Sequence, residues 1–309
     1  MKIKWFLIFI LFFRISIAQE KSFVSEDISI NSMIDGTLLL PKKVNKPPLA
    51  IIIQGSGPID RNGNQDNLNN NSLKFLAEGL YHKNIATYRY DKRLVKQLIE
   101  GDFNENDILF EDFIEDAKAV SNHFKNDDRF SEIIIIGHSQ GSLVGMIVAQ
   151  DGVDKYITIS GAGREIDDVI IFQLEKQAPE LKDNARQAFD DLRVNGVTQN
   201  YSPALSTIFR PSLQSFMFSW MQYNPQTEIA KLEIPVLIIN GDKDIQVQVS
   251  EAIKLKEAKP DAQFEIIKNM NHIFKKNKGD LAENQKSYND ESIPVIPKLI
   301  KVISSFILK

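Results

Sequence analysis

Residues 132–150 read Glu-Ile-Ile-Ile-Ile-Gly-His-Ser-Gln-Gly-Ser-Leu-Val-Gly-Met-Ile-Val-Ala-Gln, and this stretch decides the fold. The apolar run that ends at Ile136 is typical of a strand buried on both faces, and residues 141–150 have the apolar spacing of a helix. Between them, Gly137-His138-Ser139-Gln140-Gly141 matches Gly-x-Ser-x-Gly. In a strand–turn–helix setting this pattern lifts a serine hydroxyl above a sheet, so Ser139 is the candidate nucleophile.

Strands and helices alternate on both sides of this stretch. The predicted strands are 23–30, 37–40, 49–54, 85–90, 132–136, 155–160, 235–240 and 263–267, with the first two joined by a turn at Asp35-Gly36. The predicted helices are 72–83, 111–125, 141–150, 249–257 and 296–307. This alternation predicts an α/β fold, a doubly wound and mostly parallel sheet covered by helices on both faces.

The alternation stops at about residues 164–227, where only helical segments are found. An insertion there, between Ser160 and Ile234, predicts a helical cap over the ends of the strands, where ligands bind in α/β proteins. One segment of it is aromatic. Phe216, Trp220 and Tyr223 are candidates for a substrate pocket, but packing of the cap against the body explains the same spacing.

A nucleophilic serine needs a general base, and the chain has four histidines. His82 and His123 lie on predicted helices that precede the nucleophile, and His138 adjoins Ser139 with its side chain expected to point away. His272 remains, in the loop after the last predicted strand. By elimination and position, His272 is the predicted base.

The imidazole in turn needs an acid to hold its tautomer and stabilise its charge. Gly241-Asp242-Lys243-Asp244 follows the buried strand 235–240 directly. Asp244 is the predicted acid and Asp242 is the alternative. A structural role, in an ordinary turn or as a helix cap, is the non-catalytic explanation for either aspartate. The resulting chain order, serine, acid and histidine, is that of α/β-hydrolases.

Two backbone N–H groups are expected to bind the oxyanion of a tetrahedral intermediate. One is that of Gln140, which follows the nucleophile, and the other belongs to the loop after residues 49–54, at Ser56 or alternatively Gly55. Small residues in this loop allow the main chain to approach a substrate. Asp60 and Arg61 further along it either orient substrate or pair within the loop.

From about residue 23 to its C-terminus the chain resembles bacterial α/β-hydrolase carboxylesterases, whose oxyanion loop has the form Gly-Ser-Gly-Pro-x-Asp-Arg-x-Gly. Here that loop is Gly55-Ser56-Gly57-Pro58-Ile59-Asp60-Arg61-Asn62-Gly63. The resemblance implies hydrolysis of carboxylic esters through an acyl-enzyme without a cofactor. One departure is Asp91-Lys92-Arg93-Leu94-Val95-Lys96, where relatives have Asp-Lys-Arg-Gly-x-Gly. The loss of these glycines puts substrate preference in doubt, and not the chemistry.

Composition excludes several other classes of protein. Of the 309 residues 43% are hydrophobic, which argues against disorder, and the net charge of −4 with no basic stripe argues against nucleic-acid binding. The absence of cysteine excludes thiol catalysis and a lipoprotein anchor, and no pair of histidines has metal-ligand spacing. The sequence does not determine the oligomeric state.

The N-terminus predicts export. Residues 1–18 have a basic start, an apolar run from Trp5 to Phe13 and the small residues Ser16-Ile17-Ala18, which together indicate a signal peptide cleaved before Gln19. The run is too short for a membrane-spanning helix and is followed by Arg14. The expectation is a periplasmic or extracellular hydrolase domain, residues 19–309, with no stable membrane anchor after cleavage.

The predicted activity is that of a serine esterase acting on short or small carboxylic esters. The same three residues would also serve an aminopeptidase or a thioesterase. An aminopeptidase should present acidic residues to a substrate ammonium, and Glu165, Asp167 and Asp168 are candidates on the cap. A non-catalytic binding module on the same scaffold is the remaining alternative.

Overall fold

The computed structural model describes residues 23–309, and the predicted signal peptide therefore lies outside the described residues. Eight strands form one sheet in the order β1-β2-β4-β3-β5-β6-β7-β8. They are β1 (Ser25–Ser29), β2 (Asp35–Leu39), β3 (Leu49–Ile53), β4 (Ala86–Tyr90), β5 (Ile133–His138), β6 (Lys155–Ile159), β7 (Val236–Gly241) and β8 (Gln263–Ile267). The hairpin β1–β2 is antiparallel, and β2 pairs with β4 in the antiparallel sense. The other six strands, β3 to β8, are all parallel to one another.

Twelve α-helices connect and cover these strands. They are α1 (Ser72–Tyr81), α2 (Arg93–Glu100), α3 (Phe110–Lys125), α4 (Gln140–Val148), α5 (Ile166–Gln177), α6 (Lys182–Asn195), α7 (Ser206–Phe209), α8 (Pro211–Trp220), α9 (Pro225–Ala230), α10 (Val249–Ala258), α11 (Leu281–Ser287) and α12 (Pro297–Ile307), counted within residues 23–309. No helix in this range has both the length and the apolar character that crossing a membrane requires.

Alternate side chains of the central strands enter two separate cores. Ile133 and Ile135 of β5 pack with α3, α4 and α10 on one face, and Ile134 and Ile136 pack with α1 and α12 on the other. Such an arrangement requires a strand that is apolar throughout, which explains the unbroken isoleucine run. The predicted doubly wound α/β fold is confirmed.

The predicted turn at Asp35-Gly36 is wrong, because both residues belong to β2. The chain reverses at residues 31–34 instead, where the side-chain oxygen of Asn31 accepts hydrogen bonds from the backbone N–H groups of Met33 and Ile34. An asparagine side chain often forms a turn in this way without glycine.

Helices α5 to α8 lie between β6 and β7 and form a cap with a small core of its own. Ala188, Phe189 and Leu192 of α6 pack there against Phe209 and Met217. The next helix, α9, lies within the range predicted for the cap. It packs on the body instead, through Ile229, in the core shared by α4 and α10.

Candidate active site

Ser139 occupies a strained turn between β5 and α4. Its backbone has φ 52° and ψ −120°, a conformation that L-residues rarely adopt and that is often found at functional sites. Gly137 and Gly141 make the turn possible. A Cβ on Gly137 would lie 2.4 Å from the carbonyl oxygen of Gly141, and one on Gly141 would lie 2.5 Å from that of Ile53.

His272 and Asp244 are brought together from the loops after β8 and β7. The imidazole Nδ1 of His272 lies 2.9 Å from Oδ2 of Asp244, and both side chains are buried. The other carboxylate oxygen, Oδ1, accepts hydrogen bonds from the backbone N–H groups of Gln246 and Val247. Burial raises the pKa of such a carboxyl group, but the imidazole of His272 and the N–H of Val247 outweigh burial and hold the pKa of Asp244 below its ordinary value.

Asp242, the rival acid, has a different partner. Its Oδ1 accepts a hydrogen bond of 2.5 Å from the backbone N–H of Asn269, ahead of the His272 loop. The geometry therefore pairs the histidine with Asp244 and gives Asp242 a part in shaping the loop.

Ser139 and His272 line the same cavity, which has a volume of about 130 Å³. Among residues 23–309 the ring of His272 forms one hydrogen bond, through Nδ1 to Asp244, which leaves Nε2 available to a serine hydroxyl. Catalytic hydrogen bonds are often incomplete until substrate binds. The arrangement can therefore move a proton from Ser139 to His272 once the two groups align.

The loop after β3 lies against the nucleophile. A Cβ on Gly55 would lie 3.2 Å from Cβ of Ser139, so a side chain at this position would crowd the serine. Ser56 lines three cavities, and Gln140 lines two of them. Ser56 and Gln140, the residues of the two predicted oxyanion donors, therefore border the same space as Ser139.

The second and third cavities extend from this point beneath the cap. One of about 240 Å³ lies between Ser139, Leu143 and Val169. The other, of about 280 Å³, is largely apolar and is lined by side chains of α2, α3 and α8 and of the segment before α3, namely Leu94, Phe103, Ile108, Phe113, Leu213, Phe216 and Trp220. Phe216 and Trp220, two of the candidate pocket residues, line this cavity and also pack on α3.

Tyr223 lies apart from these cavities. Its ring packs 5.4 Å from that of Phe110, and its hydroxyl donates a hydrogen bond to Glu111. Both partners belong to the first turn of α3. Tyr223 therefore packs the cap against the body, which is the alternative explanation given above for the spacing of these aromatic residues.

Asp60 and Arg61 support the loop in which they lie. Oδ1 of Asp60 accepts hydrogen bonds from the N–H groups of Asn62 and Asn64, and Arg61 Nε binds Asp91 at 3.0 Å. Of the two explanations given above, pairing with neighbouring protein groups therefore accounts for Asp60 and Arg61.

The cap carboxylates are also paired. Arg186 and Arg193 of α6 bind Asp167, while Arg186 binds Asp168 and Arg193 binds Glu165. Among the described residues that line the three cavities, Glu105 is the single carboxylate, and Arg210 binds it at 2.8 Å. An unpaired acid for a substrate ammonium is not found in the described part of the site.

The expectation that the side chain of His138 points away from the site is wrong, and Lys92 was not predicted as a site residue. His138 turns its ring toward the base, with Nε2 donating a hydrogen bond of 2.9 Å to the backbone carbonyl of His272. Burial lowers the pKa of His138 to about 3, so it is neutral. Lys92 is buried beside Gly55 and Gln140. Position next to Ser139 was the signal for His138, and for Lys92 the signals were its position after a strand and its place in the Asp-Lys-Arg sequence shared with the carboxylesterases.

Comparison with known proteins agrees with the fold described above. The family model of serine aminopeptidases, S33, matches residues 71–277. Est1E from Butyrivibrio proteoclasticus, in its structure with ferulic acid bound, is 18% identical over 92% of this chain and 100% of its own, with a TM-score of 0.58. The esterase domain of a Rhodothermus marinus protein is 14% identical over 92% and 97%, with a TM-score of 0.53.

An acylaminoacyl peptidase from Pyrococcus horikoshii is 13% identical, covers 94% of this chain and 42% of its own, and has a TM-score of 0.55. No curated protein sequence matches the chain. At these identities the solved structures show the fold, whereas the family model covers most of the chain. The chain is an α/β-hydrolase and belongs to the serine aminopeptidase S33 family.

Proposed function

We propose that the protein is a serine esterase that hydrolyses small carboxylic esters through Ser139, His272 and Asp244. The observation that carries the proposal is the hydrogen bond between Asp244 and Nδ1 of His272, which leaves Nε2 of the same ring available. His272 lines a cavity that Ser139, on its strained turn, lines as well. This combination of nucleophile, base and orienting acid is the one that acyl transfer needs.

The proposed reaction has two halves. Ser139 Oγ attacks the ester carbonyl carbon while His272 Nε2 takes its proton, and the N–H groups of Ser56 and Gln140 bind the oxyanion. The C–O bond to the alcohol then breaks, and His272 returns the proton to the departing oxygen. Water deprotonated by His272 attacks the acyl-enzyme, the bond to Ser139 Oγ breaks, and the acid is released.

The lining of the cavities favours a neutral substrate over a free amine. The S33 family model and the similarity to an acylaminoacyl peptidase make an aminopeptidase the second candidate. Recognition of an amino terminus calls for a carboxylate near the nucleophile, yet Glu105 is bound by Arg210 and the acids of α5 are bound by α6. The apolar cavity of about 280 Å³ is suited to an acyl group.

The test is hydrolysis of p-nitrophenyl esters from acetate to decanoate, with labelling by a fluorophosphonate probe. Ser139→Ala should lower kcat by about 10⁶ and abolish labelling, because the serine, acid and histidine of such sites act as a unit. Ser142→Ala is the matched control. The hydroxyl of Ser142 donates a hydrogen bond to the carbonyl of Gly137 and does not face the substrate. Because Ser139 is still present in this variant, the fluorophosphonate should still label it.

Three outcomes separate the candidates. Ester turnover that depends on Ser139 supports the proposal. Faster cleavage of aminoacyl anilides than of any ester would establish the aminopeptidase, and faster cleavage of acyl thioesters would establish a thioesterase. Failure of the folded wild-type protein to react with the fluorophosphonate would contradict a catalytic serine altogether.

A further inference from the structure

The tripeptide Asp91-Lys92-Arg93, which follows β4, contacts three different parts of the site. Asp91 binds the guanidinium of Arg61 in the loop after β3. Arg93 binds two aspartates of α3. Lys92, between them, reaches inward to the nucleophile elbow and to the loop beside it.

The ammonium of Lys92 has a complete set of contacts. Nζ donates a hydrogen bond of 2.8 Å to the carbonyl oxygen of Gly55 and one of 2.6 Å to Oε1 of Gln140. It also lies 4.1 Å from the centre of the Phe113 ring. The residue is 5% exposed, which is unusual for lysine.

Each of these two acceptors is directly linked to one of the proposed oxyanion donors, the N–H groups of Ser56 and Gln140. The Gly55 carbonyl and the Ser56 N–H are parts of one planar peptide group, so a hydrogen bond that fixes the carbonyl also fixes the direction of the N–H. The donor also polarises that peptide, which strengthens its N–H as a donor. At Gln140 the same ammonium holds the side chain of the residue whose N–H is the second donor.

The charge of Lys92 is poorly compensated. Among residues 23–309 it forms no ion pair. Asp116, whose charge attracts it, is bound by Arg93, and the preceding residue, Asp91, is bound by Arg61. Burial lowers the pKa of Lys92 to about 7, against the opposing attraction of Asp116. A cation held in this way favours negative charge that develops nearby in the transition state.

We propose that Lys92 is a positioning residue that orients both oxyanion donors, through Gly55 and Gln140, and stabilises the oxyanion with its charge. The inference rests on the proposed function, since it assigns Ser56 and Gln140 to an oxyanion hole. It gives the Asp-Lys-Arg sequence a part in the chemistry, although the glycines that follow it in relatives are replaced here.

The test compares Lys92→Met with wild type in ester hydrolysis and in the rate of reaction with a fluorophosphonate. Removal of one direct oxyanion donor costs about 10²–10³ in kcat, so loss of a group that orients two donors should cost about 10- to 100-fold in kcat with little change in KM. Lys96→Met is the matched control. This lysine lies in α2, four residues after Lys92, and binds Asp35, away from the site.

The pH profile separates the charge from the hydrogen bonds. As pH rises past the pKa of Lys92, near 7, the charge is lost while a neutral amine still donates. Wild-type kcat/KM should therefore fall to a plateau on the alkaline side, and Lys92→Met should lack this fall. Gln140→Glu places a carboxylate beside Nζ, which should move the fall about 1–3 pH units higher.

Two results would overturn the inference. One is a folded Lys92→Met variant whose kcat stays within about threefold of wild type, far less than the loss of an oxyanion donor. The other is a pH profile of kcat/KM whose alkaline fall is at the same pH in Gln140→Glu as in wild type. This second result decides the question if Lys92→Met does not fold. A wild-type protein that fails to react with the fluorophosphonate would contradict the proposed function instead.

Discussion

Asp244 serves two purposes with its two carboxylate oxygens. Oδ2 holds Nδ1 of His272, and Oδ1 caps the turn that follows by accepting N–H groups of Gln246 and Val247. Since the turn fixes the carboxylate, the carboxylate fixes the imidazole. Asp242, two residues earlier, also accepts a backbone hydrogen bond, but its donor is Asn269, three residues before His272, and not a residue of its own turn. The two aspartates therefore differ in what they orient.

Replacing each aspartate by asparagine should separate these roles. Asp244→Asn removes the charge that stabilises the imidazolium and favours the wrong tautomer, and the corresponding change in serine proteases lowers kcat by about 10⁴. Asp242→Asn keeps an acceptor for Asn269 and should leave kcat within about twofold, as a substitution that preserves its contact does. Kinetics on one p-nitrophenyl ester suffice. Equal losses in both variants would contradict the assignment of Asp244.

Residue types and their order along the chain were enough to predict which side chains would meet at the site. Ser139, Asp244 and His272 each follow a strand of a parallel sheet, and such positions converge at one edge. Lys92 follows β4 in the same way and was overlooked, because a lysine is ordinarily a solvated surface residue. Its burial depends on acceptors at Gly55 and Gln140, which are distant in sequence.

At the level of elements, the long periodic segments were predicted within a few residues, and the short ones were missed. Helix α2 was not predicted, although Leu94 and Leu98 have helical spacing and Gly101 ends the helix with a positive φ of 77°. The apolar spacing of this helix is strongly periodic, so the signal was present in the sequence and was missed, although none of the residues is buried. Helix α9 has six residues, too few for periodicity to identify.

Helix α8 presents different aromatic residues to the cavity and to the cap core. Phe216 lines the apolar cavity and contacts Phe113, whereas Phe218 packs inside the cap. Phe216→Ala should enlarge the proposed acyl pocket and raise the ratio of kcat/KM for decanoate over acetate about tenfold, the effect expected for a few methylene groups in an apolar pocket. Phe218→Ala should lower stability without changing this ratio. Equal shifts in the two variants would place the acyl group elsewhere.

Across the whole molecule, the described body and the cap keep separate cores. Two cores lie on opposite faces of the sheet, and the third lies within the cap. Aromatic side chains of the cap pack on α3, as Trp220 does on Phe110, and polar contacts also join cap and body. Among the polar contacts are Ser219 Oγ, which accepts a hydrogen bond from the N–H of Phe110, and the pair of Arg210 with Glu105. Partly exposed ion pairs of this kind contribute about 0–1 kcal/mol each.

This division predicts unequal stability, measurable by hydrogen exchange. Amides of β3 and β5 lie between both cores and open only when the sheet unfolds, so they should exchange most slowly. Amides of α6 depend on the small cap core and should exchange faster, on the order of tenfold or more, through opening of the cap alone. A covalent acyl group on Ser139 that fills the apolar cavity would slow exchange in α8, which lines it. Equal protection of α6 and β5 would mean that cap and body unfold as one unit.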